Sequence, residues 1–69
     1  MQMYPVESSN IARIGWDAES GLRIEFKPSG AAYTYPGVSF DVWNDFQESE
    51  SKGKFFAANI KGKYEGVKG

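Results

Sequence analysis

The sequence predicts an α+β fold, a three-stranded antiparallel meander followed by two short helices packed on one sheet face, in the order β-β-β-α-α. Three observations predict it. "GLRIEFK" alternates apolar and charged residues at period two. "DAESG", "KPSG" and "YPG" divide the first half into short segments with turn formers. After Pro36 the apolar residues change to helical spacing, and serines stand where helix caps belong.

The elements follow in order. "MQMYPVESSN" has few periodic apolar residues and reads as an irregular arm over residues 1–8, with Val6 pinned to the core. "NIARIGWD" alternates, which places Ala12, Ile14 and Trp16 on one face and Ile11, Arg13 and Gly15 on the other. "DAESG" breaks that strand, and Gly21 can supply a positive φ. In the next strand Leu22, Ile24 and Phe26 point one way, and Arg23 and Glu25 the other. At "KPSG" Pro28 presets φ and Gly30 can take the left-handed conformation that closes a bulged hairpin. "AAYTYPG" is the third strand, with Tyr33 and Tyr35 on one face and Thr34 on the other. In "PGVSFDVWNDFQESES", Ser39 is the N-cap and Asp41 suits the positive end of the helix. Val38 and Trp43 have the spacing of a hydrophobic staple. Phe40, Trp43 and Phe46 make the inward stripe, and Asp45, Glu48 and Glu50 face water. "SKGKFFAANIKGKY" is the second helix, capped by Ser51, with Phe56 and Ile60 on its buried face and Gly62 past its end. Residues 65–69 read as a flexible tail.

Sixty-nine residues make one domain, spanning 1–69. Ordering them costs about 1.5 kcal/mol per residue, roughly 100 kcal/mol in all, which a small core offsets only narrowly. The chain has no Cys and no His, so neither disulfides nor a thiolate–imidazole zinc site can supplement the core. Two Trp, four Tyr and five Phe take their place, each removing on the order of 150–250 Å² from water when buried. Self-association is the other route, and a homo-oligomer stays open. No apolar run approaches the ~20 residues of a membrane span, and no signal-type segment follows Met1. The expectation is a soluble, cytoplasmic protein with no membrane partner.

Three segments in order, "SSNIARIGWD", the central "YTY" and "SKGKFFAANIKGKY", resemble the KTSC domain family, over about residues 6 to 64. That family takes its name from a domain at the C-terminus of some lysyl-tRNA synthetases, and also occurs as small stand-alone bacterial and phage proteins. The long lysine-glycine-aromatic run is the specific part. One departure is Val38-Ser39, where the family often has valine-proline entering the first helix. The resemblance implies no established activity; its company with a tRNA synthetase implies RNA, and tRNA in particular, as a partner.

Catalysis has little to work with. Without His or Cys, nucleophilic schemes reduce to Ser-Lys or carboxylate pairs. Asp17 and Glu19 form such a pair in sequence, although a solvated turn is the ordinary use of "DAESG". The "GKF" and "GKY" fragments lack the strand, glycine-rich loop and Ser/Thr of a phosphate-binding loop. The expectation is a chain that is not an enzyme and carries no cofactor or metal.

Charge is what stands out. Residues 1–51 carry three basic and eight acidic side chains, a net −5, and residues 52–69 carry five lysines and one acid, a net +4. Lys52, Lys54, Lys61 and Lys63 can meet phosphates by counterion release. Tyr33, Tyr35, Phe55 and Tyr64 can stack on bases at ~1–3 kcal/mol each. On a helix Phe55 and Phe56 cannot both point inward, which leaves Phe55 nearer the edge beside Asn59. Plainer uses exist for every piece: lysine stems cover apolar surface, and Tyr33 and Tyr35 fill a small core. A pI near 5.3 argues against a long polyanion, less so against a nucleotide, a tRNA end or one loop. The reading is a small non-catalytic binding module that contacts RNA, tRNA or a nucleotide phosphate through Lys52, Lys54, Phe55, Asn59, Lys61, Lys63, Tyr64, Tyr33 and Tyr35. The alternative is a protein-interaction module, such as an inhibitor of a host factor, or an oligomer that sequesters a nucleotide.

Overall fold

The computed structural model describes all 69 residues. Its sheet has five strands rather than three, in the order β1 (Met3–Pro5), β2 (Ile11–Asp17), β3 (Gly21–Phe26), β4 (Ala32–Tyr35) and β5 (Val67–Lys68), all neighbours antiparallel. The helices α1 (Phe40–Glu48) and α2 (Lys52–Phe55) lie in the chain between β4 and β5. The α+β class and the central meander are as expected. The two outer strands are additions, and they correct the two ends of the chain. In the arm expected to be irregular, Met3–Pro5 pair with Gly15, Ile14 and Arg13. In the tail expected to be flexible, Val67 and Lys68 pair with Thr34 and Tyr33. Strands of three and two residues are too short to show a period.

Strand β2 departs from simple alternation. Ile11 pairs with Phe26 and Arg13 with Glu25, so Ala12 is one extra residue in a bulge. The bulge turns Ile11 inward beside Ile14, and Ile11 is fully buried, contrary to the face expected from period two. The reason is energetic: a buried isoleucine contributes more than an alanine in that position. Ile11, Ile14, Leu22, Ile24 and Tyr35 from the sheet then meet Val38, Trp43, Phe46 and Ile60 in one core. Val6 packs against it.

The first helix begins as its residues dictate. The Ser39 hydroxyl accepts from the Val42 amide at 3.3 Å, and Val38 and Trp43 are both buried as a staple requires. Trp43 and Phe46 face the core, but Phe40 does not; it stays 58 % exposed, its ring set edge-on to Trp16 at 5.7 Å. Phe40 occupies the first helical position, one turn short of the buried stripe.

The second helix changes form along its length. Ser51 caps it, its hydroxyl accepting from the Lys54 amide at 3.3 Å. From Phe56 to Ile60 it continues as a π-helical turn, closed by the Lys61 amide donating to the Phe56 carbonyl at 2.9 Å. Gly62, at φ 81°, then stops it in the left-handed conformation expected of a residue past a helix end. Gly53 lets the first turn approach β2's entry: a Cβ there would stand 2.9 Å from the Asn10 side-chain oxygen.

Candidate functional site

The basic aromatic segment folds into a corner between α1 and the sheet, which decides the fate of its rings. Phe55 turns toward α1 and stacks on Phe46, with centroids 5.2 Å apart and planes at 21°. Phe56 turns toward the sheet and meets Phe26 at 5.4 Å and Tyr35 at 5.6 Å, both edge-to-face. Both phenylalanines therefore point inward, a correction to the expectation that one must stay at the edge. A helix held in a corner buries a wide stripe, and residues 100° apart each find a wall. Phe55 is half-buried, and Phe46 covers one of its faces.

The tyrosine platform is likewise mostly interior. Tyr35 is buried, closed in by Phe56 and by the backbone at Gly66, where a Cβ would stand 2.6 Å from the ring. Burial raises its hydroxyl above the ordinary value, with the neighbouring Tyr33 adding to the effect. Tyr33 is half-buried, its ring 6.0 Å from Phe26 and 6.5 Å from Tyr35. Tyr64 is half-buried against the core. Of the rings expected to stack on a ligand, Tyr33, Tyr64 and Phe55 are half-buried, Phe55 with one face taken by Phe46, and Tyr35 is buried.

The cations divide in the same way. Lys52 is half-buried, and its ammonium donates to the Ser49 carbonyl at 2.5 Å, which ties it to the end of α1. A cation beside the last carbonyls of a helix satisfies orphan acceptors and favours the dipole. Asn59 is exposed, its amide donating back to the Phe55 carbonyl at 3.3 Å. Lys54, Lys61 and Lys63 are exposed. Lys61 and Lys63 stand on either side of the Gly62 turn, which the Lys63 and Tyr64 amides close by donating to the Ile60 carbonyl at 3.0 Å each. The molecule's one ion pair is Arg13–Glu25 on the sheet, so none of these lysines is bound to a carboxylate.

A lysine outside the expected site residues shares their exposure. Lys68 is exposed and lies directly across from Tyr33 in the β4–β5 pairing. Its charge was visible in the sequence; its place across from Tyr33 depends on β5, which carries it back along the sheet.

Asp17, the other chemical candidate, is occupied locally. Its carboxylate accepts from the Ser20 amide at 2.6 Å, and that bond holds its pKa below the ordinary carboxylate value. A depressed carboxyl in a turn is a poor proton donor. No pocket opens on the surface beside the lysines and ring edges.

Comparison with known proteins agrees with this fold. A curated protein of Tsukamurella paurometabola is 39 % identical over 66 residues, covering 94 % of this chain and 97 % of its own. The crystal structure of a KTSC domain protein from Yersinia pestis superposes with a TM-score of 0.89 at 41 % identity, covering 97 % of this chain and 94 % of that one. The sequence model of the KTSC domain matches residues 7–64, from the end of the arm through Tyr64, and the chain belongs to the KTSC domain family.

Proposed function

We propose that this chain is a non-catalytic module that binds the phosphate backbone of a short single-stranded RNA, using Lys54, Lys61, Lys63 and Lys68 as the anion contact. The observation that carries this reading is that these four ammonium groups are exposed and have no carboxylate partner, on a segment whose one acid is Glu65. Charge does the binding. Ring stacking is confined to the accessible edges of Tyr33 and Tyr64, so discrimination between bases is weak. The absence of a pocket favours an extended ligand over an enclosed mononucleotide. Eight acids over residues 1–51 keep the contact short, because a long polyanion would meet their repulsion. The family's occurrence beside lysyl-tRNA synthetases supports RNA as the class.

Salt dependence tests it. Four lysine–phosphate contacts give a slope of about −3 for log affinity against log salt, at ~0.7 per contact on a single strand. Filter binding of an oligouridine should follow that slope with the parent chain. With all four lysines replaced by alanine it should weaken and flatten toward zero. All four side chains are exposed, so the variant should fold. Equal retention by variant and parent, at equal slopes, would refute the assignment.

A further inference from the structure

A second surface stands apart from the lysines. Phe40 is 58 % exposed and Tyr4 44 % exposed, and both lie on indole rings held in place by the fold. Phe40 meets Trp16 at 5.7 Å, and Tyr4 lies 6.5 Å from Trp43. The Trp16 indole donates to the Val38 carbonyl at 2.8 Å, and Trp43 is buried in the core, so the floor of this patch is rigid. The fold does not need an aromatic at position 40. Ser39 already caps α1, and Val38 and Trp43 already staple it.

The charge around the patch is negative. Asp41 follows Phe40 on the first turn of α1, and the turn after β2 holds the exposed Glu19. Both arginines are engaged elsewhere, Arg13 on Glu25 and Arg23 on Thr34. Aromatic faces beside unpaired carboxylates match a guanidinium, which is planar, weakly hydrated and able to lie on a ring while donating to an acid. The same carboxylates repel nucleic acid. Tyrosine and tryptophan are also the side chains that dominate binding at protein interfaces.

We propose that Tyr4, Trp16 and Phe40, over the buried Trp43, form a docking surface for an arginine-bearing segment of a protein partner, with Asp41 as the charge contact. This surface is independent of the lysines that contact RNA. The chain's two tryptophans both belong to it, so their fluorescence reports its occupancy. Titration with a nine-residue oligoarginine peptide should change tryptophan emission saturably. An oligolysine of equal length should bind more weakly, lacking the planar group. Phe40→Ala and Tyr4→Ala should each weaken the arginine peptide by about fivefold, with melting temperature nearly unchanged. Phe40→Leu, which keeps apolar bulk without a π face, should weaken it similarly. The quadruple lysine variant, at net −5 in place of −1, should bind it at least as tightly as the parent does. No saturable change in emission, equal affinity for the two peptides, or equal binding by Phe40→Ala and parent would each overturn the proposal.

Discussion

Lys52 and Lys54 are two positions apart and serve different ends. The Lys52 ammonium caps α1 through the Ser49 carbonyl, while Lys54 points to water. Lys52→Ala should therefore cost about 1 kcal/mol of stability by losing a charged contact at a helix end. It should leave the salt slope of RNA binding close to the parent's, whereas Lys54→Ala should do the reverse. Denaturant melts and filter binding on the two variants separate these outcomes. Tyr35 offers a test of burial. Its hydroxyl titrates above the ordinary value of 10.0 in the folded chain because burial disfavours the phenolate. Unfolded chain then loses this proton first as pH rises, so its contribution is complete below pH 10 and disappears as the pH climbs through the folded value. Denaturation midpoints of the parent should fall in the alkaline range, and Tyr35→Phe should reduce that fall. An identical alkaline loss in the variant would mean that the tyrosine is not shielded.

Helix α2 and its π-helical turn act as a wedge between α1 and the sheet. Phe55 joins it to Phe46, and Phe56 joins it to Phe26 and Tyr35. Removing the Phe46 ring deletes a fully buried side chain and one wall of the stack. Phe46→Ala should cost ~3–5 kcal/mol, a large share of what a domain this small can have. Calorimetry or chemical denaturation would measure it, and a loss below about 1 kcal/mol would contradict the packing described. The start and stop of this element were legible in advance, because Ser51 and Gly62 act through local geometry. The π turn was not legible, since a bond from Lys61 to Phe56 in place of Ala57 depends on where two neighbouring rings find partners. Strand β2 repeats the lesson. "GLRIEF" could be read directly from its period, but the bulge at Ala12 answers to the burial of Ile11, which only the assembled core decides. Strands β1 and β5 escaped notice because three and two residues carry no pattern of their own.

At the scale of the whole molecule, the division of charge along the chain becomes a division between elements. Lys54, Lys61, Lys63 and Lys68 belong to α2, its following turn and β5, with Glu65 among them and Lys27 apart in the β3–β4 turn; Asp41, Asp45 and Glu48 belong to α1. The exposure of Lys54, Lys61 and Lys63 was legible in the sequence, because charge is expensive to bury and lysines stay outside almost wherever the chain goes. The aromatics were harder to place, since a ring serves a small core as well as a ligand. Tyr35 went to the core and Phe55 packed half-buried on Phe46, while Lys68 came to lie across from Tyr33 only through a strand too short to foresee. The exposed Phe40 had the spacing of a core residue and became a surface feature. The central claim is that the lysine face, and not the aromatic acidic face, meets RNA. An amide-resolved NMR titration with a short oligouridine tests it most directly. Shifts gathered on Lys54, Lys61, Lys63, Lys68 and their neighbours Tyr33 and Tyr64 are the predicted result; shifts centred on Tyr4, Phe40 and Asp41, or none at all, would contradict it.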